Sequence, residues 1–199
     1  MMIVRLLVLL SVVRVVASFS ASSSAAPPWQ NFFGSLFPED NTQRIELKQQ
    51  LLSECRQNIG YNTPEIRQNI ESIIYELCPF NPTQQTATSD LLKKKWIVEW
   101  TSEKEINFFL EKGLSNEIIQ TLEGDILENY IPFVRGGGFG VTGMISVDDA
   151  SEDVLTRTNF KFKNAKLDLG RWGEYNFPPV GEGWFDTIYL DDGKLPKFL

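Results

Sequence analysis

The segment Gly138-Phe139-Gly140-Val141-Thr142-Gly143 has the GxGxxG spacing with which dinucleotide-binding proteins cradle a pyrophosphate. That chemistry needs a strand before the glycines and a helix N-terminus after them, where free backbone N–H groups meet the phosphate. Met144-Ile145-Ser146-Val147 is a poor helix opening, so the glycines are read as a turn running into a bent strand. The acidic pairs Asp148-Asp149 and Asp191-Asp192 could act as glycosidase carboxylates or as calcium ligands. A calcium loop needs alternating oxygen ligands ending in a glutamate, and neither pair has them; adjacent acids on a turn are read as solvated. Carboxylates brought together from separate strands stay open as a catalytic pair, since spacing along a chain does not exclude that.

The chain contains no histidine, which removes Ser-His-Asp triads, Cys-His dyads and HExxH zinc sites. The two cysteines, Cys55 and Cys78, are too few for a disulfide scaffold or a four-thiolate zinc site and are expected to be free. No cofactor, no metal and no catalytic residue is expected. A net charge of -7, with Lys93-Lys94-Lys95 as the one dense basic run, argues against a nucleic-acid surface. What the composition does supply is aromatic surface. Trp96, Trp100, Phe108, Phe109, Phe160, Phe162, Trp172, Phe177, Trp184, Phe185 and Tyr189 crowd the C-terminal half. They suit ordinary core packing individually, and together they suit the interior of a barrel enclosing an apolar ligand.

These side chains must be positioned by two kinds of element. Leu47, Leu51, Cys55 and Ile59 recur every four residues and mark one face of a helix from about Thr42, stopped at Gly60. Thr63 and Pro64 open a second helix with Ile66, Ile70, Ile73, Ile74 and Leu77 on one face, ended by Pro79 and Pro82. The short link predicts an antiparallel hairpin over 42–78, with its two cysteines about 15 Å apart along the helix axis. From Trp96 the period changes to two, Trp96, Val98 and Trp100 alternating with Ile97, Glu99 and Thr101. Ser102 and Glu105 suggest a capping box for a short helix through Leu110, closed by Gly113. Further β-like runs at 118–122, 126–134, 139–147, 154–162, 165–169 and 186–190 are separated by turn signals. The expected fold is α+β, a helical hairpin followed by a curved antiparallel sheet or barrel over 91–199.

The N-terminus reads as a targeting segment. Residues 1–18 have a basic start at Arg5, an apolar stretch from Leu6 to Val13 and small residues at Ala17 and Ser18, the outline of a signal peptide. Residues 19–37 carry no charge and are rich in Ser, Ala and aromatics, which suits a disordered or transit-peptide-like segment. Ala17-Ser18-Phe19 resembles the phenylalanine-led junction of bipartite presequences in algae whose plastids have extra membranes, although this segment lacks the usual arginine. A secreted carrier with residues 19–37 as a linker is the alternative. The chain also has no N-glycosylation sequon, because Asn81-Pro82-Thr83 contains the excluded proline.

Two stretches carry a more specific resemblance. Asn81-Pro82-Thr83, followed by Leu92, Trp96, Val98, Trp100, Thr101 and Ser102, resembles the opening of the plastid lipid-associated protein (fibrillin) domain. There an NPT element precedes a strand of the form L-x-G-x-W-x-L-L-Y-T. Gly183-Trp184-Phe185-Asp186-Thr187-Ile188-Tyr189-Leu190-Asp191-Asp192 is similar to the closing GW-x-DT-x-YLD signature of that family. The likeness extends over about Ile45 to Leu195. This sequence departs from the pattern with Lys94 in place of Gly and Trp100 in place of Tyr. It also stops at Leu199 where the family continues into a basic turn and a last strand. The resemblance therefore implies a lipocalin-like barrel, incomplete at its C-terminal side, in a domain over 42–199. It implies a plastid location at thylakoids or plastoglobules, apolar partners such as prenyl quinones or carotenoids at a membrane or lipid-droplet surface, and no enzyme activity. Trp96, Trp100, Trp184 and Tyr189 are the candidates to line or support an apolar cavity. The competing readings are a coat protein of lipid droplets without a cavity, and a lipocalin-like enzyme using carboxylates.

Overall fold

The computed structural model describes residues 38–147, 155–178 and 181–192. The leader, the pair Asp148-Asp149 and the last residues of the chain lie outside them. Helices α1 (Pro38–Gln57) and α2 (Pro64–Leu77) come first, and a 3-10 turn, Cys78–Phe80, follows. Strand β1 (Lys95–Ile97) precedes α3 (Lys104–Glu111), after which come β2 (Ile119–Glu123), β3 (Ile126–Pro132), β4 (Gly138–Ser146) and β5 (Arg157–Asp168). A 3-10 turn at Gly170–Trp172 leads to β6 (Glu174–Phe177) and β7 (Glu182–Asp186). The fold is α+β, as expected.

The hairpin forms for the reasons its sequence suggests. Thr63 sits at the α2 N-cap with extended backbone, and its hydroxyl accepts from the Ile66 N–H at 3.3 Å. Leu47, Leu51 and Cys55 of α1 close against Ile70, Ile73, Ile74 and Leu77 of α2, all at most 7% exposed. Ile59 departs from the pattern and is exposed, because α1 ends at Gln57 and the chain has already turned towards Gly60, whose φ is +77°. Both cysteines are free; burial pushes the Cys55 thiol up to about 12, with Glu99 and Glu54 adding to the effect, so it stays protonated.

The strands form one antiparallel sheet in the order β1-β2-β3-β4-β5-β6, with β7 also paired to β5. The long β5 pairs with β7 over 157–161 and with β6 over 165–168, so β6 and β7 lie end to end along its free side. Among the described residues β1 is not bonded to β6 or β7, and the barrel is open. It is nonetheless curled: Trp96 of β1 and Phe185 of β7 belong to one core with Leu92, Leu122, Leu127, Phe160 and Leu190.

Several local expectations are corrected. The runs at 154–162 and 165–169 are a single strand, because Lys163 is accommodated opposite the Thr142/Gly143 bulge and not in a turn. The closing strand is Glu182–Asp186, ahead of the expected 186–190, and β6 was not anticipated. The α3 N-cap is Glu103 with no side-chain cap of its own; the Thr101 hydroxyl accepts from the Glu103 N–H at 3.1 Å, replacing the Ser102/Glu105 box. The GxGxxG run lies in strand β4, paired on both sides, and Met144-Ile145-Ser146 continue that strand where a dinucleotide site needs a helix opening.

Hairpin and sheet are joined by a clasp between the segment after α2 and the segment after β7. Asn81 donates from Nδ2 to the Thr83 and Ile188 carbonyls, and its Oδ1 accepts from the Thr83 and Leu190 N–H groups at 3.2 and 3.0 Å. The Thr83 hydroxyl donates to the Leu190 carbonyl at 2.7 Å, and Thr86, which is fully buried, donates to Thr187. Lys48 of α1 pairs with Asp191, which also accepts from the Tyr189 hydroxyl.

Asn81→Ala leaves backbone groups of this clasp unpaired and is expected to lower unfolding free energy by about 3 kcal/mol, measured by urea denaturation. Asn81→Asp keeps the acceptor but sets a carboxylate oxygen against the Thr83 and Ile188 carbonyls, and should cost a comparable amount. Gly143→Ala places a Cβ 2.5 Å from the Lys161 carbonyl oxygen and 2.9 Å from Phe162 Cα, which are backbone atoms that cannot swing away. It is expected to cost about 2 kcal/mol by the same assay.

Candidate functional site

The four aromatic residues singled out from the sequence do not share one surface. Trp96 is 7% exposed in the sheet core, with Nε1 donating to the Leu92 carbonyl at 2.8 Å. Trp100, past the end of β1, turns into the hairpin core, and its Nε1 donates to the Tyr61 carbonyl at 3.0 Å. Tyr189 packs in that same hairpin core; burial raises its hydroxyl above the usual phenol range, and the neighbouring Asp191 adds to it. Trp184 lies half-buried in β7, where the Arg157 guanidinium stacks 3.8 Å from its ring centroid. Arg157 also pairs in bidentate fashion with Asp186, at 2.9 and 2.8 Å. Trp100 and Tyr189 are thus brought together, while Trp96 and Trp184 stand apart.

The sheet register shows where apolar surface is left over. On the face that carries the core, Leu122 pairs with Leu127, Leu127 with Gly143 and Ile145 with Phe160. Further along the same face, towards the β3–β4 turn, two cross-strand rows follow. One runs Ile131, Phe139, Leu167, Tyr175, and the other Asn129, Val141, Ala165, Phe177. Seven of these eight side chains are apolar or aromatic. Cover falls off along the rows: Ile131 is 5% and Ala165 1% exposed, whereas Tyr175 is 50% and Phe177 44% exposed at the β6 edge. Non-polar rings left half in water on the core face of a sheet are a surface for an apolar ligand.

Helix α3 roofs the other end of the first row. The Phe109 ring lies nearly parallel to Phe133 and to Phe139, with centroids 5.9 and 6.4 Å apart. The helix is pinned there because the Phe109 carbonyl accepts from the Leu114 and Ser115 N–H groups, and the Leu114 carbonyl accepts from the Val134 N–H at 2.9 Å. On the opposite face, Lys161–Glu182 and Lys166–Glu174 ion pairs at 2.8 and 2.7 Å cover the strands with charge. Tyr130 lies there over Gly138 and Gly140, where a Cβ at Gly138 would sit 2.6 Å from its hydroxyl oxygen. The two faces of this half of the sheet are therefore chemically distinct.

Burial first and the neighbouring Glu105 second raise the Glu103 carboxyl above the usual carboxylate range. Arg67 of α2 opposes that shift, which places Glu103 beside the hairpin, away from the rows. No group of three or more Cys, Asp or Glu able to hold a metal ion is found among the described residues. A shallow depression of about 390 Å³ lies on α1 between Gln49, Leu52, Ser53, Arg56 and Gln57, with no aromatic residue in its lining. Sequence reasoning missed Phe139, Val141, Leu167 and Tyr175 as a group. Their two-residue alternation was visible, but which strands stood next to one another was not.

The chain is 35% identical over 135 residues to the "Probable plastid-lipid-associated protein 11, chloroplastic" of Arabidopsis thaliana. That alignment covers 64% of this chain and spans 60% of the relative's length. No solved structure gives a significant match. The profile of the PAP_fibrillin family matches residues 45–175, from the hairpin into β6, and the chain belongs to that family.

Proposed function

We propose that this chain is a plastid lipid-associated protein that binds or organises apolar lipids such as prenyl quinones or carotenoids, without catalysing a reaction. The half-covered aromatic rows of β3–β6 carry this reading, because they offer a flat non-polar molecule ring and methyl contacts on the core side of an open sheet. The relative's description as plastid-lipid-associated and chloroplastic supports the lipid class and the plastid location. The Phe-led junction at Ala17-Ser18-Phe19 supports delivery into a plastid with extra membranes, and the family supports a place at thylakoids or plastoglobules. Trp96, Trp100 and Tyr189 are assigned to supporting the rows from the two cores, and Trp184 to supporting them from the opposite face.

The carboxylate-enzyme reading is less favoured, since among the described residues Glu182 and Glu174 pair with Lys161 and Lys166 on the other face of the sheet. A coat without a ligand site differs in its binding law: uptake would follow lipid surface area, whereas a ligand bound at the rows saturates at a fixed stoichiometry.

The purified protein, incubated with a total plastid lipid extract and passed over gel filtration, is expected to retain a discrete prenyl lipid detectable by mass spectrometry. Replacing both Tyr175 and Phe177 by serine should weaken that retention about thirtyfold or more, since each ring supplies roughly 1–2 kcal/mol of apolar contact. Their exposure predicts little change in folding stability. Retention that is absent in the parent protein, or unchanged in the double variant, counts against the rows as the site.

A further inference from the structure

We infer that the end of the sheet formed by the turns at 133–137 and 169–173 is a docking surface for an anionic lipid membrane, holding the mouth of the aromatic rows against it. The inference rests on the lipid-binding reading and assigns it an orientation.

The two turns are packed side by side. Gly137, at φ +77°, approaches the other turn so closely that a Cβ would lie 2.2 Å from the Asp168 carbonyl oxygen and 3.2 Å from the Gly170 nitrogen. Their tips present Val134, 58% exposed, and Trp172, 68% exposed, which is more apolar surface than a solvated turn needs. Each tip also carries one arginine, Arg135 and Arg171, both exposed. Neither turn contains an acid, although the chain as a whole bears a net charge of -7. Among the described residues neither arginine enters a salt bridge, and the Arg171 guanidinium lies 5.0 Å from the Trp172 ring centroid. Asp168, at the base of the second turn, is occupied in accepting the Gly170 N–H at 2.7 Å.

Exposed Trp and Val between unpaired arginines match a lipid headgroup layer, where the ring and aliphatic groups enter the interface and the guanidinium groups meet phosphates. An acidic protein would otherwise be repelled by such a surface, so the positive charge has to be local. The geometry then ties docking to ligand transfer. The Tyr175 hydroxyl donates to the Trp172 carbonyl at 3.2 Å, so the exposed edge of the rows begins directly behind the docking tip. A lipid leaving the membrane beside Trp172 meets Tyr175 and then Phe177 without crossing open water.

The test compares the full chain with Arg135→Glu/Arg171→Glu and with Trp172→Phe. The probes are vesicles of phosphatidylcholine alone and of phosphatidylcholine with phosphatidylglycerol, by co-sedimentation and by fluorescence quenching with brominated lipid. The parent should prefer the anionic vesicles and lose affinity as salt rises. The arginine pair variant should bind them about tenfold or more weakly. Quenching should fall in Trp172→Phe while co-sedimentation largely persists. Retention of prenyl lipid from an extract should be unaffected by the arginine changes, which separates this inference from the ligand site itself. Equal binding of parent and arginine variant, no preference for anionic vesicles, or quenching unchanged in Trp172→Phe would each overturn the docking surface. A parent that docks in this way yet retains no prenyl lipid would overturn the ligand reading and leave the docking surface standing.

Discussion

Asn81 and Thr83 bond to backbone groups 107 to 109 residues further along the chain. With the Lys48–Asp191 pair, these bonds join the hairpin to the segment that follows the last strand of the sheet. The polar atoms involved are half-buried, so each unmade bond would leave a desolvated donor or acceptor. An asparagine suits the position because its amide offers donor and acceptor from one rigid plane, and here both ends are used. Thr86 repeats the arrangement one turn later against Thr187. The residues that resemble the opening and closing motifs of the family are thus partners in one interaction, which explains why they are the most specific parts of the pattern.

The clasp also decides how the apolar side chains divide. Tyr189 enters the hairpin core and the next residue, Leu190, enters the sheet core. Trp96 and Trp100 make the same division on the other side, four residues apart, because β1 ends at Ile97 and the chain turns outward. Arg56 reinforces the junction through a two-bond contact with Glu99, at 2.9 and 3.3 Å. Two modest cores locked by such crossing segments resist separation better than either would alone, since exposing one requires withdrawing side chains from the other.

With both cores filled by these residues, the rest of the sheet is released from structural duty. The rows behind Phe139 and Leu167 face the same side as the sheet core, and α3 packs its Phe109 ring over the Phe133 and Phe139 end of them. The open edge at β6 is what a closed barrel would bury. Here it leaves Tyr175 and Phe177 facing solvent, with a basic, aromatic tip immediately beyond them. The ion pairs on the opposite face keep that side wet, so apolar contact has one direction from which to arrive.

Local chemistry was sufficient to determine much of this protein. The four-residue spacing of Leu47, Leu51 and Cys55 and the Thr63-Pro64 cap specify the hairpin, because helix faces and caps depend on neighbours within a turn or two. Alternation after Lys95 marked most of the strands for the same reason, and the absence of histidine settled which chemistries were out of reach. The tertiary structure decided what periodicity cannot encode. Which strand lies beside which sets the rows Phe139–Leu167–Tyr175 and Val141–Ala165–Phe177, and those pairings come from register and from the bulge at Gly143. It also decided that Trp96 and Trp100, which look alike on an alternating strand, serve different cores, because the direction of the chain after Ile97 is set by contacts with α1 and α2 that lie far away in sequence.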